Sequence, residues 1–418
     1  TLVHGRSVVE TFNAMGLAAA AVGNHDLDWS VDTLRARMAD ADYPWLAANV
    51  FDSATGRRPE WARPWAVIEV DTFRIGVIGY MTLETKSIVK AEHVRGLEWR
   101  PVESMRGALD SLASENPDLT VLVAHAGMVC DSTQCEGEIQ DATRALGDRI
   151  DAVVAGHVHR VGLTDVGGVP IAQTWGGGSA IGLLDLVRGS DGAHHWEYRV
   201  ESTYADSVAP DTAITGVVEP YLERADSLAG LVVTTMASSL RKDPSGQYPM
   251  GNLIADAQRA VAGADVAIMN NGGIRGTGFA AGPVSYAQLF ELQPFANGMV
   301  TVNVPGRVIL QALEHAVSGD VPAAHVAGLM AHYDPARAAG SRITRVVMAN
   351  GRPLDPDARY TVAMNDFMVT GGSGYTMFAG AEVTRLGSTD LEMLIEYLTS
   401  RPRPVAAPFG TRIEREGR

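Results

Sequence analysis

The segment LAAAAVGNHDLD, at residues 17–28, places an apolar run directly before a cluster of polar residues. Two later segments repeat this arrangement, LTVLVAHAGM at residues 119–128 and DAVVAGHVHR at residues 151–160. Short apolar runs bounded by turn residues predict buried strands. Because open α/β sheets bind ligands beyond the carboxyl ends of their strands, we expect the three polar clusters to meet in one crevice.

The predicted crevice would be lined by four histidines and one asparagine, namely Asn24, His25, His125, His157 and His159. Imidazole nitrogens and an amide oxygen suit borderline divalent metals such as Zn, Mn, Fe or Ni, which activate water and neutralise phosphate charge. Continued strand geometry would turn His157 and His159 to opposite faces, whereas a tight turn after Gly156 would bring both to one side. A single histidine after a strand is more often a surface residue, so the prediction depends on all three strand ends together.

Length and charge limit the class of protein. At 418 residues the chain exceeds the roughly 250–300 residues at which single cores stop growing, so two domains are expected. The formal charge of −15 disfavours nucleic-acid partners, and no basic stripe opposes it. No apolar stretch approaches the roughly 18 residues of a membrane span. We therefore expect a small-molecule partner, no nucleic acid and no membrane span.

The α/β pattern runs through both halves of the chain. A further strand is predicted at RIGVIGY, residues 74–80, and helices are predicted at residues 31–40 and 105–115. Residues 210–228 are charged and helix-prone without a strand pattern, which predicts a linker helix. The predicted organisation is a first domain at 1–205, a linker helix at 206–230 and a second α/β domain at 231–418.

The chain has two cysteines, Cys130 and Cys135, in a polar segment. Their spacing suits a small disulfide-closed loop, which would indicate an oxidising compartment, although two free thiols are an open alternative. No further Cys or His pair of zinc-finger spacing accompanies them. We interpret both cysteines as structural.

The motifs GNHD at residues 23–26, AHAGM at 124–128 and GHVHR at 156–160 together resemble the calcineurin-like metallophosphoesterase signature. More narrowly, the chain resembles the bacterial secreted 5′-nucleotidase family over nearly its whole length. That resemblance implies a four-layer αββα sandwich, here without its first strand, followed by a smaller α/β nucleotide-binding domain. It also implies an extracellular or periplasmic hydrolase of nucleotide phosphoesters that uses metal-activated water. Nucleoside 5′-monophosphates, nucleotide sugars and 2′,3′-cyclic nucleotides are the substrates that the resemblance suggests.

The resemblance assigns roles to the polar residues of the first domain. Asn24, His125 and His157 match metal ligands, and His159 matches a ligand of the other metal in a site for two divalent ions. His25 matches the catalytic histidine and Asp28 the carboxylate that orients and charges it. An imidazolium beside a carboxylate can stabilise charge on a transferring phosphoryl group and assist the leaving oxygen. Asp26 is interpreted as a local structural carboxylate.

Three loops of the second domain also resemble the family. Residues 270–275, NNGGIR, resemble its NGGGIR loop, in which Asn270 and Arg275 would meet the nucleotide. PFAN at 294–297 and GGSGY at 371–375 resemble PFGN and GGDGY, so Phe295 and Tyr375 are expected to sandwich the base. Arg241 is a further candidate for substrate binding. Ser373 stands where the family has Asp, which removes any contact that such a carboxylate makes.

The family carries a DxH pair and a GD aspartate upstream of the GNH[DE] motif. Residues 1–22 contain no DxH. We expect that these metal ligands and the first strand lie outside the chain as given. On that expectation the 418 residues alone bind fewer than two metals and hydrolyse nucleoside monophosphates at background rate.

Two other functions remain open at this point. A thiosulfohydrolase that acts on a sulfur carrier protein shares the architecture, and nucleotide turnover would distinguish it. A nucleotide-binding protein without catalysis is the alternative from another class. Metal content measured together with nucleotide affinity would separate that alternative from an enzyme.

Overall fold

The computed structural model describes residues 3–131, 134–188, 194–204 and 208–416. These residues form a first compact unit, Val3–Tyr221, and a second that begins at Leu222. The predicted linker helix is present as Thr212–Ala229, and the boundary between the units falls within it. Both units mix helices and strands, so the α/β prediction is confirmed.

The helices α1–α5 of the first unit are Arg6–Met15, Val31–Asp40, Thr85–Ile88, Arg106–Ala113 and Glu138–Leu146, and α6 is Thr212–Ala229. Short 3₁₀ turns occur at Asn24–Leu27, Val102–Met105 and Gly147–Arg149. The helix predicted at 31–40 is confirmed, and the one predicted at 105–115 is a 3₁₀ turn followed by α4. None of the helices within the described ranges is both long and apolar enough to cross a membrane.

The strands β1–β7 are Ala20–Ala21, Trp45–Leu46, Val50–Asp52, Trp65–Val70, Phe73–Met81, Leu97–Trp99 and Leu119–His125. The strands β8–β14 are Val129–Cys130, Cys135–Glu136, Ala152–Ala155, Gly162–Val166, Val169–Gln173, Ala180–Arg188 and His194–Ser202. The run predicted as a strand at 17–22 forms only the two-residue β1. It is short because its described partner, β2, is also only two residues long.

A six-stranded sheet in the order β11-β12-β10-β7-β5-β4 organises the first unit. Strands β5, β7 and β10 are parallel, with Met81 opposite His125 and Ala124 opposite Ala155. Parallel strands in this register end at the same edge of the sheet, which is where the histidine motifs begin. One face of the sheet packs on α4 and α5 through a core that includes Leu122, Val153 and Leu112.

Cys130 and Cys135 are joined by a disulfide with an S–S distance of 2.02 Å. The bond links β8 to β9, which pair as an antiparallel hairpin with the two cysteines opposite each other. The disulfide alternative for this pair is therefore the correct one. The hairpin lies beside β11, because a Cβ at Gly162 would come within 2.9 Å of the Cys130 Sγ.

The helices α7–α11 of the second unit are Pro249–Ala262, Tyr286–Leu292, Gly306–Ala316, Asp366–Val369 and Asp390–Thr399. The strands β15–β20 are Val232–Met236, Leu240–Arg241, Val266–Asn270, Gly278–Phe279, Gly282–Ser285 and Gly298–Pro305. The strands β21–β26 are Ala324–Ala327, Leu329–Tyr333, Ile343–Met348, Arg359–Asn365, Val383–Thr389 and Ile413–Arg415. Further 3₁₀ turns lie at Asn271–Gly273, Gly372–Gly374 and Thr376–Phe378.

A five-stranded sheet in the order β21-β17-β24-β20-β25 has a core on each face. Alternate residues of β17 enter opposite cores: Ile268 packs with the core of α9, and Met269 packs with the core of α7 and α11. This two-sided burial explains why the sequence shows continuous apolar runs instead of alternation. Strand β24 runs parallel to β17 and antiparallel to β20, with Met299 opposite Asn365.

A buried histidine holds the loop after β17 in place. The ring of His325 has no exposed surface, its Nε2 accepts the Tyr248 N–H at 2.9 Å, and its Nδ1 donates to the Asn271 Oδ1 at 2.7 Å. The Asn271 amide then donates to the carbonyls of Gly246 and Pro322. This arrangement requires the neutral ring. Burial, together with the nearby Arg412 charge, lowers the pKa of His325 to about 3.

The lowered pKa of His325 predicts acid sensitivity of the second unit. An unfolded histidine protonates near pH 6.5, whereas the folded ring stays neutral, so the free energy of unfolding should fall as pH drops below about 6.5, by about 1.4 kcal/mol per pH unit. His325→Phe should be less stable at pH 7 because it leaves the Asn271 oxygen and the Tyr248 N–H unpaired, but its stability should change less between pH 6.5 and 4.5. Hydrogen exchange of peptides from α7 and β21 in urea measures both effects. His332→Gln, which leaves this network intact, should keep the wild-type profile, and equal slopes in all three proteins would contradict the assignment.

Candidate metal centre and nucleotide site

The GNHD motif forms a 3₁₀ turn directly after β1. Asn24 is 2% exposed, and its Oδ1 points to the end of β7. The Gly23 N–H donates to the Asp26 Oδ2 at 2.7 Å, which closes the turn and gives Asp26 the structural position predicted for it. Burial raises the pKa of Asp26 to about 6 against this hydrogen bond. Gly23 has to lack a side chain, since a Cβ there would lie 2.9 Å from the His125 ring.

His125, at the end of β7, is the centre of the cluster. Its Nε2 lies 2.9 Å from the Asn24 Oδ1 and 3.2 Å from the His157 Nδ1. Burial, together with the charges of the neighbouring histidines, lowers the pKa of His125 to about 4. The ring is therefore neutral near pH 7, which is the protonation state that binds a metal.

The GHVH segment makes the tight turn that the sequence requires. The Val158 N–H donates to the Gly156 carbonyl at 3.1 Å, and both histidines have left-handed backbones, with φ of 80° at His157 and 53° at His159. The turn brings the His157 ring to within 4.9 Å of the His125 ring, centroid to centroid. The His159 ring instead lies against Gly176, where a Cβ would approach its Cδ2 to 2.7 Å. Left-handed non-glycine residues are strained and concentrate at functional sites.

The donor atoms of this cluster fit one divalent cation. Two donors that each lie about 2.1 Å from one metal are about 3.0–3.4 Å apart, close to the measured 2.9 and 3.2 Å. Catalytic zinc sites use three protein ligands, the number supplied by Asn24, His125 and His157. Across the described residues there is no cluster of three or more His, Cys, Asp or Glu side chains suited to a metal ion. The donor set at this site consists of two imidazole nitrogens and one amide oxygen.

His25 and Asp28 form the predicted pair beside the cluster. The His25 Nδ1 lies 2.9 Å from the Asp28 Oδ2, and the His25 side chain is about half exposed. The carboxylate fixes which ring nitrogen faces outward, so Nε2 is directed away from Asp28. The His25 ring is held by Asp28 and is about half exposed, so it can reach a substrate that the buried Asn24 does not contact. The catalytic role of the pair remains a prediction.

Glu84 was not found from the sequence, yet it faces the far side of His157. Its Oε2 lies 3.7 Å from the His157 Nε2, the nitrogen that does not approach His125. Carboxylates commonly hold the second nitrogen of a metal-binding histidine. Glu84 lies in a loop after β5, in a segment without a recognisable motif. Its place beside the cluster follows from the parallel register of β5 and β7, which sets Met81, three residues before Glu84, opposite His125.

In the second unit, Asn270 ends β17 beside the glycine-rich loop. Its Oδ1 accepts from the Asn365 amide at 3.1 Å, and its Nδ2 donates to the Ser373 Oγ at 3.3 Å. Ser373, which stands in place of the family's Asp, therefore links the GGSGY loop to the NNGGIR loop. Because Asn270 is only 3% exposed, the main role of its side chain is to hold these two loops together.

Arg275 lies beside Phe295. The guanidinium carbon of Arg275 lies 5.7 Å from the centroid of the Phe295 ring, and both side chains are half-buried. Arg241, in β16, lies opposite Gly278, in β18, which follows the NNGGIR loop. The adjacent Lys242 donates to the Ile274 carbonyl at 2.6 Å, and burial and Arg275 lower its pKa. Cationic side chains are thus concentrated around this loop.

The structure contradicts the expectation that Tyr375 offers a stacking face. Tyr375 is 1% exposed and packs in the core against Phe378 and His315, and burial raises its pKa. The reason is the backbone of the GGSG turn, in which φ is 98° at Gly371 and 52° at Ser373. The His315 Nε2 donates to the Ser373 carbonyl at 2.7 Å, which holds the turn and directs the next side chain inward.

Phe367 is the partly exposed aromatic side chain beside this turn. It follows β24 by two residues and is half-buried, and its ring covers Gly372, where a Cβ would come within 2.5 Å of it. Because Met299 pairs with Asn365, Phe295 before β20 and Phe367 after β24 emerge at the same sheet edge. The sequence feature that could have identified Phe367 is its position four residues before the pair Gly371–Gly372.

The first unit has a metallophosphoesterase-type fold, with its histidine motifs at the ends of parallel strands. Residues 229–380 match the family described as the 5′-nucleotidase, C-terminal domain. The chain is 25% identical to a 5′-nucleotidase of Vibrio cholerae, covering 92% of this chain and 76% of that protein. A 5′-nucleotidase precursor of Thermus thermophilus has a similar structure, with a TM-score of 0.83, 25% identity, and coverage of 99% of this chain and 86% of that one. The predicted kinship with 5′-nucleotidases, which are phosphoric ester hydrolases, and the predicted fold class are confirmed.

Other relatives carry different names. An endonuclease of Bacillus subtilis, YhcR, is 27% identical over 97% of this chain, which spans only 34% of that protein. A cell wall protein of Listeria monocytogenes, Lmo0130, is 26% identical over 95% of this chain and 58% of its own length. The sulfate thiohydrolase SoxB of Thermus thermophilus has a TM-score of 0.77 at 20% identity, covering 100% of this chain and 76% of that one. This last likeness shows the shared fold alone.

The geometry predicts that His25 and the cluster around His125 can be separated by mutation. His157→Ala should weaken Zn²⁺ binding by about 10-fold or more, because it removes a donor, whereas His25→Ala should leave Zn²⁺ affinity unchanged and lower kcat about 100-fold or more. Competition with a chromophoric chelator measures affinity, and nucleotide turnover by the protein as its gene encodes it measures kcat. His195→Ala removes a surface histidine that pairs with Glu197 in the same way and should change neither quantity. Equal loss of zinc in the His25 and His157 variants would refute the division.

Proposed function

We propose that this protein hydrolyses phosphate esters of nucleotides in a metal-dependent reaction. The observation that carries the proposal is the convergence of Asn24, His125 and His157 at hydrogen-bond distances on three separate strand ends. The His125 Nε2 lies 2.9 Å from the Asn24 Oδ1 and 3.2 Å from the His157 Nδ1, so these three atoms are close enough together to share one bound ion. They suit a cation, and a cation beside a partly exposed His–Asp pair suits phosphoryl transfer.

The roles of the residues follow from their positions. Asn24, His125 and His157 hold the metal, and His159 is the candidate ligand for a second ion. A bound divalent metal lowers the pKa of water and neutralises phosphate charge. His25 contacts the scissile phosphate, stabilises its developing charge and passes a proton to the leaving oxygen. Asp28 keeps the His25 ring oriented through the contact between its Oδ2 and the His25 Nδ1.

The second unit supplies nucleotide recognition. Phe295 and Phe367 stack on the base, since both rings are partly exposed at one sheet edge. Arg241 and Arg275 bind anionic or hydroxyl oxygens of the nucleotide with their planar donor groups. Asn270 positions the surrounding loops through Asn365 and Ser373. This division of labour means that affinity for the base and chemistry at the phosphate depend on different units.

A substrate panel tests the proposed function directly. The protein as its gene encodes it should hydrolyse a nucleoside 5′-monophosphate in the presence of Zn²⁺ or Mn²⁺ and lose that activity with a chelator. Parallel assays with a 2′,3′-cyclic nucleotide, a nucleotide sugar and a single-stranded oligonucleotide define the ester class. Nucleotide affinity without turnover in any metal would favour a binding protein. Turnover of a thiosulfonated carrier peptide alone would favour the thiosulfohydrolase.

We infer an extracellular or periplasmic location. The Cys130–Cys135 disulfide supports it, because disulfides persist in oxidising compartments. The similarity to a cell wall protein supports the same inference. Nucleotides outside the cytoplasm are a source of nucleosides and phosphate, which is consistent with a catabolic role.

The base platform can be tested with two substrates. Phe295→Ala and Phe367→Ala should each weaken nucleotide binding by about 1–3 kcal/mol, as expected for the loss of base stacking, and should leave p-nitrophenyl phosphate nearly unaffected. Steady-state KM for both substrates is the measurement. Phe409→Ala removes an exposed phenyl ring elsewhere in this unit and is the matched control.

Tyr375→Ala should act differently, because it removes a core side chain and lowers thermal stability. A nucleotide KM raised more by Tyr375→Leu, which removes the ring but keeps an apolar core side chain, than by Phe367→Ala, with the KM for p-nitrophenyl phosphate unchanged, would restore Tyr375 to the platform.

A further inference from the structure

One buried amide connects the two loops that carry His125 and His157. Gln173, the last residue of β12, is 1% exposed, and its Oε1 accepts the Met128 N–H at 2.9 Å. Its Nε2 donates to the Met128 carbonyl at 2.9 Å and to the Arg160 carbonyl at 2.8 Å. Met128 follows His125 by three residues, and Arg160 follows His157 by three residues. Gln173 therefore holds equivalent points of the two histidine loops.

The two loops touch at the same place. A Cβ at Gly127 would lie 2.4 Å from the Gly156 carbonyl oxygen, 2.6 Å from the Gln173 Oε1 and 2.8 Å from a Val158 methyl group. The loops are thus in van der Waals contact through a glycine, and the Gln173 amide lies against that contact. Its own backbone is fixed as well, since Ala155 pairs with Gln173 and the Tyr198 hydroxyl donates to the Gln173 carbonyl at 2.8 Å.

We propose that Gln173 is a positioning residue for the metal centre, which sets the distance between the His125 and His157 rings. The inference rests on the proposed function only in taking these rings as metal ligands. Gln173 touches neither ring and acts through the Met128 and Arg160 backbones. A fixed separation matters because a metal held by two imidazoles tolerates little change in donor spacing, and supporting residues of this kind commonly change metal affinity 10- to 100-fold.

The amide is specifically required at this position. One N–H and two carbonyls converge on Gln173, and only a group with one acceptor and two donors satisfies all three. Gln173→Met keeps the length and volume of the side chain but leaves three backbone groups without a partner. The loops can then reach hydrogen-bonding partners only by moving apart or admitting water, and either change alters the ring separation.

The first unit contains a matched control. Asn49 is fully buried, its Oδ1 accepts the Met81 N–H at 2.9 Å, and its Nδ2 donates to the carbonyls of Met81 at 2.8 Å and Arg100 at 3.2 Å. The pattern of three bonds is the same as at Gln173, but these bonds end on Met81 and Arg100 and do not join the His125 loop to the His157 loop, although Met81 stands opposite His125 in the sheet. Asn49→Leu therefore loses an equal set of buried hydrogen bonds in the same unit while the bridge between the two histidine loops stays intact.

The test compares Zn²⁺ affinity in the two variants by competition with a chromophoric chelator, with thermal unfolding recorded in parallel. Gln173→Met should weaken Zn²⁺ binding by about 10-fold or more, whereas Asn49→Leu should change it by less than about 3-fold at a similar loss of stability. Gly127→Ala is a second variant, which drives the same loops apart with Gln173 intact, and it should weaken Zn²⁺ binding as Gln173→Met does.

Three outcomes would overturn the proposal: equal loss of zinc in Gln173→Met and Asn49→Leu, unchanged affinity in folded Gln173→Met, or no zinc binding by the wild-type chain. Because the readout is metal affinity, failure of the nucleotide assay alone leaves the role of Gln173 standing and refutes only the proposed function. Conversely, nucleotide turnover by the wild-type protein together with unchanged zinc affinity in Gln173→Met would refute the positioning role of Gln173 and leave the proposed function standing.

Discussion

The parallel register of β7 with β10 is the constraint on which the first unit depends. Ala124 stands opposite Ala155, so the chain leaves both strands at one level and His125 and His157 start from neighbouring points. A shift by one residue would displace one histidine by about 3.3 Å and turn its strand's apolar side chains to the other face. The buried pair Leu122 and Val153 opposes such a shift. Core packing therefore fixes the geometry of the polar site.

The sequence predicts the strand-end clusters because each is a local pattern. In each cluster an apolar run, a glycine and a polar residue lie within ten positions. The rule that the carboxyl ends of parallel strands meet at one sheet edge then predicts that the clusters lie close together. Arg275 and Phe295 each lie in a loop with a recognisable motif, but the contact between them is seen only in the structure. Helix α2 was predicted with its observed bounds from its apolar spacing, and the structure adds Ser30 as its N-cap.

The features that could not be predicted from the sequence depend on contacts between segments that are distant along the chain. Phe367 and Tyr375 are both aromatic residues beside one glycine-rich turn, and only the left-handed backbone at Ser373 decides which ring is buried. Gln173 lies in an ordinary strand and gains its three partners from loops 13 and 45 residues away. β1 is shorter than its apolar run because pairing depends on the partner strand. Each miss concerns side-chain direction or strand pairing, while the class of fold was available from pattern alone.

The boundary at Tyr221 has a consequence for spectroscopy. All seven tryptophans of the chain precede it, the last being Trp196, while the second unit contains tyrosine and phenylalanine only. Intrinsic fluorescence excited at the red edge of the absorption band therefore reports the unit that carries the histidine cluster and is silent about the other. A single emission trace would therefore record the unfolding of the first unit alone.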